Sequence, residues 1–191
     1  MTKKPKFLYH GTSLDYAVQI ARDGAILSPK ARLIRDVRKY FAKKNHYFSD
    51  DEDCARLIHD GGKLIEKCLD NLKRRQNELY KTVVHVSPNR DLALWFAKGA
   101  DLSENYEGIM LGCEITPEVA QTLHQEWKER DNIFVPNQFD IKTLREVYMT
   151  KAAFDCDGDE ITAEFGRYSP DYYIIYGNGK VDLCGKIDSS A

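Results

Sequence analysis

The chain opens on a short apolar run, Phe7-Leu8-Tyr9, that ends in the polar triplet His10-Gly11-Thr12, the pattern of a strand that carries chemistry to its tip. Leu14, Ala17, Val18 and Ala21 then recur at helical spacing. Ser13 or Thr12 is placed to cap this helix, and Gly24 to end it in the left-handed conformation. Ala25-Ile26-Leu27 reads as a short strand or turn, and Ser28-Pro29 starts a second helix with proline at its first position. A helix opening at Ser49-Asp50-Asp51-Glu52-Asp53 breaks at Gly61-Gly62, and Leu64 to Leu79 keeps helical spacing to about Lys81. The segment from about residue 29 to 81 is thus a helical insert between the first strands.

Beyond the insert the pattern changes to strands. Val83-Val84-His85-Val86-Ser87-Pro88 alternates, which predicts His85 and Ser87 on one face and Val84 and Val86 on the other. Asn89-Arg90-Asp91 opens a helix containing Ala93, Phe96 and Ala97. Gly108 to Ile115 predicts a buried strand, followed by a helix from Thr116-Pro117 through about Glu129. Ile133 to Phe139 reads as a loop with a short strand. Leu144 to Met149 is a strand into which Glu146 enters, and glutamate is a poor strand residue, so either a site role or a solvent-facing strand start accounts for it. Tyr172 to Tyr176 and Lys180 to Leu183 flank Gly177-Asn178-Gly179 as a β-hairpin.

Composition narrows the class. At 191 residues, with 42% hydrophobic and 30% charged residues, the chain is that of one soluble α+β domain spanning 1–191. No apolar run has membrane-spanning length, and Met1 to Lys6 lacks the apolar core of a signal peptide, so no membrane partner and a cytosolic location are expected. The five cysteines include no Cys-x-x-Cys pair, which argues against a disulfide framework and a zinc site. Asp155 to Glu160 imitates a calcium loop, but Gly158 comes too early and the twelfth position is Gly166, so no metal is expected.

Charge is distributed unevenly. Residues 1–100 hold 20 Lys/Arg against 12 Asp/Glu, and residues 101–191 hold 8 against 18. In the basic half, Arg32, Arg35, Arg38 and Lys39 interleave with Tyr40 and Phe41, a pattern suited to phosphates and stacked bases, or else to a helix with a solvated basic face.

His10 beside Gly11 pairs a switchable donor or acceptor with a backbone that a ligand can approach closely. Tyr9-His10-Gly11-Thr12, the helix ending at Gly24, Val84-His85-Val86-Ser87-Pro88 with the helix after it, and Glu146-Val147-Tyr148 together resemble the ADP-ribosyltransferase superfamily. The likeness is to the branch related to poly(ADP-ribose) polymerases and diphtheria-type toxins, whose signature is His, Tyr and Glu on successive strands; His85 stands where the Tyr would be, as it also does in the similar RNA 2′-phosphotransferases. The resemblance covers Phe7 to Tyr148 without the insert. It implies split mixed and antiparallel sheets flanked by helices, and NAD as co-substrate. It further implies Glu146 and His10 as catalytic residues, and His10, Gly11, Thr12, His85 and Ser87 as NAD contacts.

The acceptor expected on this reading is a nucleic acid, reached through Arg32, Arg35, Arg38, Lys39 and Tyr40, or a protein. A small transferase of this kind would be a toxin or conflict protein with a cognate inhibitor. The alternatives are an RNA 2′-phosphotransferase-like enzyme and a silent module that binds NAD, ADP-ribose or RNA.

Overall fold

A computed structural model describes residues 6–60, 75–97, 108–123, 131–149, 159–161, 163–168, 172–177 and 180–184. The protein is α+β. Its main sheet has five strands in the order β1 (Phe7–Ser13), β4 (Gly108–Glu114), β7 (Leu144–Met149), β8 (Tyr172–Gly177) and β9 (Lys180–Cys184). All neighbours in it are antiparallel except β7 and β8, which run parallel. Among the described residues there are also two ribbons of two strands: β2 (Ala25–Leu27) with β6 (Gln138–Asp140), and β3 (Val83–Val86) with β5 (Ile133–Pro136).

The helices begin where the sequence supplies caps. In α1 (Leu14–Asp23), Gly24 ends the helix at φ 72°, and its amide donates to the Ile20 carbonyl at 2.9 Å. Ser13 stands at the N-terminus of α1 but makes no side-chain cap bond, so the predicted cap is positional only. In α2 (Pro29–Ala42) the Ser28 hydroxyl accepts from the Ala31 amide at 3.2 Å. The Asp50 carboxylate accepts from the Asp53 amide at 2.7 Å ahead of α3 (Asp51–Asp60). Asn89 caps α4 (Arg90–Ala97) through bonds from the Asp91 and Leu92 amides. Thr116 caps α5 (Pro117–Thr122), which ends at Leu123, extended and buried. The part of that predicted helix from 124 to 129 lies outside the described residues, as does the insert's helical pattern from 61 to 74.

The polar triplet His10-Gly11-Thr12 lies within the strand and not at its tip. Every residue from Phe7 to Ser13 pairs with β4, from Phe7 opposite Glu114 to Ser13 opposite Gly108. The pairing extends β1 up to the first residue of α1.

The chain divides into two compact units. Residues 1–26, 85–135 and 140–191 form one, and residues 27–84 with 136–139 form the other, which contains the helical insert. In the second unit, Leu33, Ile34 and Val37 of α2 pack against Cys54 and Ile58 of α3, with Phe41, Phe48 and Leu79 at the edge. Burial of this kind stabilises by about 25 cal/mol per Å² of apolar surface. In the first unit, Ala93 and Ala97 of α4 pack on Met110 and Tyr148, with Tyr9 and Leu94 beside them. Among the described residues no helix is long and apolar enough to cross a membrane.

Candidate functional site

One face of the main sheet explains where the chemistry collects. Register sets Tyr9 beside Gly112 and Gly112 beside Glu146, and in the next row Gly11 beside Met110 and Met110 beside Tyr148. Residues in lateral register share a face, so Tyr9, Gly11, Gly112, Glu146 and Tyr148 all point the same way. Helix α4 lies directly on two glycines of this face, Gly11 and Gly108. A Cβ on Gly11 would overlap the Ala93 carbonyl, and one on Gly108 would overlap the Ala97 carbonyl. Gly11 therefore opens space for the α4 backbone, and not for the ligand that a Gly beside His10 suggests.

At the outer edge of β1, Tyr9 exchanges two backbone hydrogen bonds with Ser87, of 2.7 and 2.9 Å. This bridge brings the end of β3 against β1, beside an open cavity of about 240 Å³ lined by Tyr9, His10, Gly11, His85, Phe96 and Asn132 among others. The lining is mostly apolar and aromatic, with few polar groups, as ligand sites are. His85 is exposed, and its ring meets Phe134 edge-on at 4.6 Å.

His10 is the polar group most tightly defined. Its Nδ1 lies 2.8 Å from the His85 carbonyl oxygen, which can only accept, so Nδ1 carries the proton. Burial pushes the His10 pKa below its ordinary value, against the opposing pull of that hydrogen bond. The ring is therefore neutral at pH 7 and its Nε2 is an acceptor, matched to a ligand hydroxyl.

Glu146 stands outside the cavity lining, separated from it by Tyr9. The carboxylate accepts from the Tyr148 hydroxyl at 2.8 Å. The Tyr9 and Tyr148 rings meet edge-on at 6.2 Å, and the Arg90 guanidinium lies 5.9 Å over the Tyr148 ring. Burial, then the hydrogen bond to Glu146, raises the Tyr148 pKa; burial, then the Glu146 charge, raises that of Tyr9. Both phenols remain protonated at neutral pH.

The remaining predicted residues divide. Ser87 lines the cavity, but it is buried where alternation had placed it with exposed His85, because its hydroxyl donates to the Asp131 carbonyl and accepts from the Asn89 amide. Thr12 is buried in β1 opposite Ile109 and lies outside the lining. Tyr9, Phe96 and Asn132 are lining residues that the sequence did not single out as ligand contacts. The small pair Ala93 and Ala97, four apart and matched to Gly11 and Gly108, was the available signal for α4.

In the second unit the arginines of α2 face carboxylates. Asp36 accepts from Arg35 at 2.9 Å and from Arg75 at 3.0 Å, Glu78 accepts from Arg75 at 3.1 Å and lies 3.7 Å from Arg32, and Arg38 lies 3.3 Å from Asp51. Tyr40 sits under the Lys44 ammonium at 4.5 Å, and Lys39 is exposed. Much of the positive charge read from the sequence is thus answered locally.

No protein-family model matches the chain, and neither does any curated protein.

Proposed function

We propose that the protein is an NAD-dependent ADP-ribosyltransferase whose cavity receives the nicotinamide end of the dinucleotide. The observation that carries this reading is His10: a neutral imidazole held in one tautomer, with an acceptor nitrogen, in the wall of an aromatic cavity. That group suits a ribose hydroxyl. At about 240 Å³ the cavity is smaller than the roughly 300–1,000 Å³ usual for a whole ligand, so it takes one ring while the rest of NAD extends beyond it.

In the reaction the bond between ribose C1′ and the nicotinamide nitrogen breaks, and the nitrogen keeps the electron pair. A bond then forms from C1′ to the acceptor, whose proton passes to a base. Positive charge develops on the ribose, as in glycoside hydrolysis, and a carboxylate stabilises it. Glu146 is the carboxylate assigned to this task and to the acceptor's proton. His10 binds a ribose hydroxyl, and His85 with Phe96 covers the ring. The acceptor is a nucleic acid or a protein. The pairing of Arg32, Arg35 and Arg38 with acids weakens the case that α2 selects phosphates.

A silent binding module is the second reading, favoured by the position of Glu146 behind Tyr9. A 2′-phosphotransferase has less support, because among the described residues no arginine lines the cavity. Incubating purified protein with labelled NAD tests the first two. Release of nicotinamide supports the transferase; NAD binding without release supports the module; neither binding nor release defeats both.

A further inference from the structure

Tyr148 is almost fully buried yet carries a hydroxyl, and a buried phenol requires a partner. Its partner is the Glu146 carboxylate, two residues earlier in β7 and on the same face of the sheet. The next strand leaves room for this carboxylate. A Cβ on Gly112 would lie 3.1 Å from Glu146 Cβ and from Tyr9 Cε1, and 3.2 Å from Glu146 Oε2. The Tyr9 ring and the Glu146 side chain thus share the space above a residue with no side chain, and Tyr9 is also a wall of the cavity. The Tyr148 ring is itself fixed by Ala93, Ala97 and Met110, with Arg90 over it.

We infer that Tyr148 is a positioning residue that holds the Glu146 carboxylate over Gly112, beside the cavity wall at Tyr9. A glutamate has several rotatable bonds and samples many rotamers unless something fixes it, and a charge stabilises a transition state only when it is fixed beforehand. The hydroxyl of Tyr148 supplies that constraint, and the glycine supplies the room. This role rests on the transferase reading of Glu146.

The test is NAD cleavage by wild type, Tyr148→Phe, Glu146→Gln and the double variant. Tyr148→Phe keeps the ring packed under α4 and removes the hydroxyl, with its hydrogen bond to Glu146 and its weaker interactions with Tyr9 and Arg90. Its kcat should fall roughly tenfold, as for one hydrogen bond to a charged group, with KM for NAD unchanged. In the Glu146→Gln background the same change should cost less than about twofold, because the charge it positions is gone. Gly112→Ala, which crowds the carboxylate from the other side, should also lower kcat. Equal losses from Tyr148→Phe in both backgrounds would mean a purely structural tyrosine and overturn the inference, as would kcat within about threefold of wild type. An active wild type with an unaffected Tyr148→Phe defeats only the role of Tyr148, whereas a wild type that neither binds nor cleaves NAD defeats the transferase reading and this role with it.

Discussion

His10 Nδ1 lies 2.8 Å from the carbonyl oxygen of His85, a residue 75 positions further along the chain. The contact fixes the tautomer of one imidazole with the backbone of the residue that carries the other, and both residues line the cavity.

From this pair follows a pH dependence of stability. Burial lowers the His10 pKa in the folded state, so on acidification the unfolded chain takes up a proton that the native chain refuses. Stability therefore falls as pH drops through the ordinary histidine value of about 6.5. His10→Asn, whose amide can donate to the same carbonyl, removes the titration. Denaturant unfolding between about pH 8 and 5 should show a steeper loss for wild type than for the variant; parallel curves would contradict the assignment.

Gly11 and Gly166 form a contrast. A methyl group on Gly11 would overlap the α4 backbone at Ala93, whereas one on Gly166 would meet nothing within 4 Å. Gly11→Ala should thus destabilise by about 1–3 kcal/mol or more, since a helix must move to admit it. Gly166→Ala should change stability by less than about 0.5 kcal/mol, as at an unconstrained surface position. Thermal melts of both variants decide the matter.

These two residues also show how far the sequence was legible. Features written in a few consecutive residues were readable: the Gly24 stop of α1, the Ser28-Pro29 start of α2, the alternation in β3 and the β8–β9 hairpin all depend on local backbone preferences. His10, Gly11 and His85, all singled out by the pattern of polar residues in apolar strands, do line one cavity, though His10 and Gly11 sit in the middle of β1 and not at its tip. What distant pairing decides was not readable. Nothing near Tyr9 announces that it will face Gly112 and share space with Glu146, and nothing near Gly11 announces a helix on its Cα. The extended, buried Leu123 at the end of α5 is likewise not announced by the helical pattern around it.

The ion pairs of the second unit give a prediction about α2. Asp36 receives both Arg35 and Arg75, and its side chain is only 30% exposed. Asp36→Ala leaves two partly buried guanidinium groups without this partner, so the cost should exceed the 0–1 kcal/mol of an isolated surface pair and reach about 1–3 kcal/mol. Urea unfolding at low and high salt checks it. A loss below about 0.5 kcal/mol in both would mean that the network contributes nothing to the fold.

Glu146→Gln is the most informative change at the candidate site. The side chain keeps its length, and the amide oxygen can still accept from the Tyr148 hydroxyl that now donates to Oε2 at 2.8 Å, so the packing over Gly112 is preserved. What disappears is the negative charge. If the proposed reaction is right, NAD still binds through the cavity, to which Glu146 contributes no lining atom, and KM or the dissociation constant for NAD stays within about twofold. Turnover should fall on the order of a hundredfold or more, the loss typical of removing one preorganised electrostatic group. Binding measured by calorimetry and nicotinamide release measured by chromatography separate the two effects. Turnover within about threefold of wild type would make Glu146 a structural partner of Tyr148 and nothing more, and the carboxylate for the chemistry would have to be sought elsewhere.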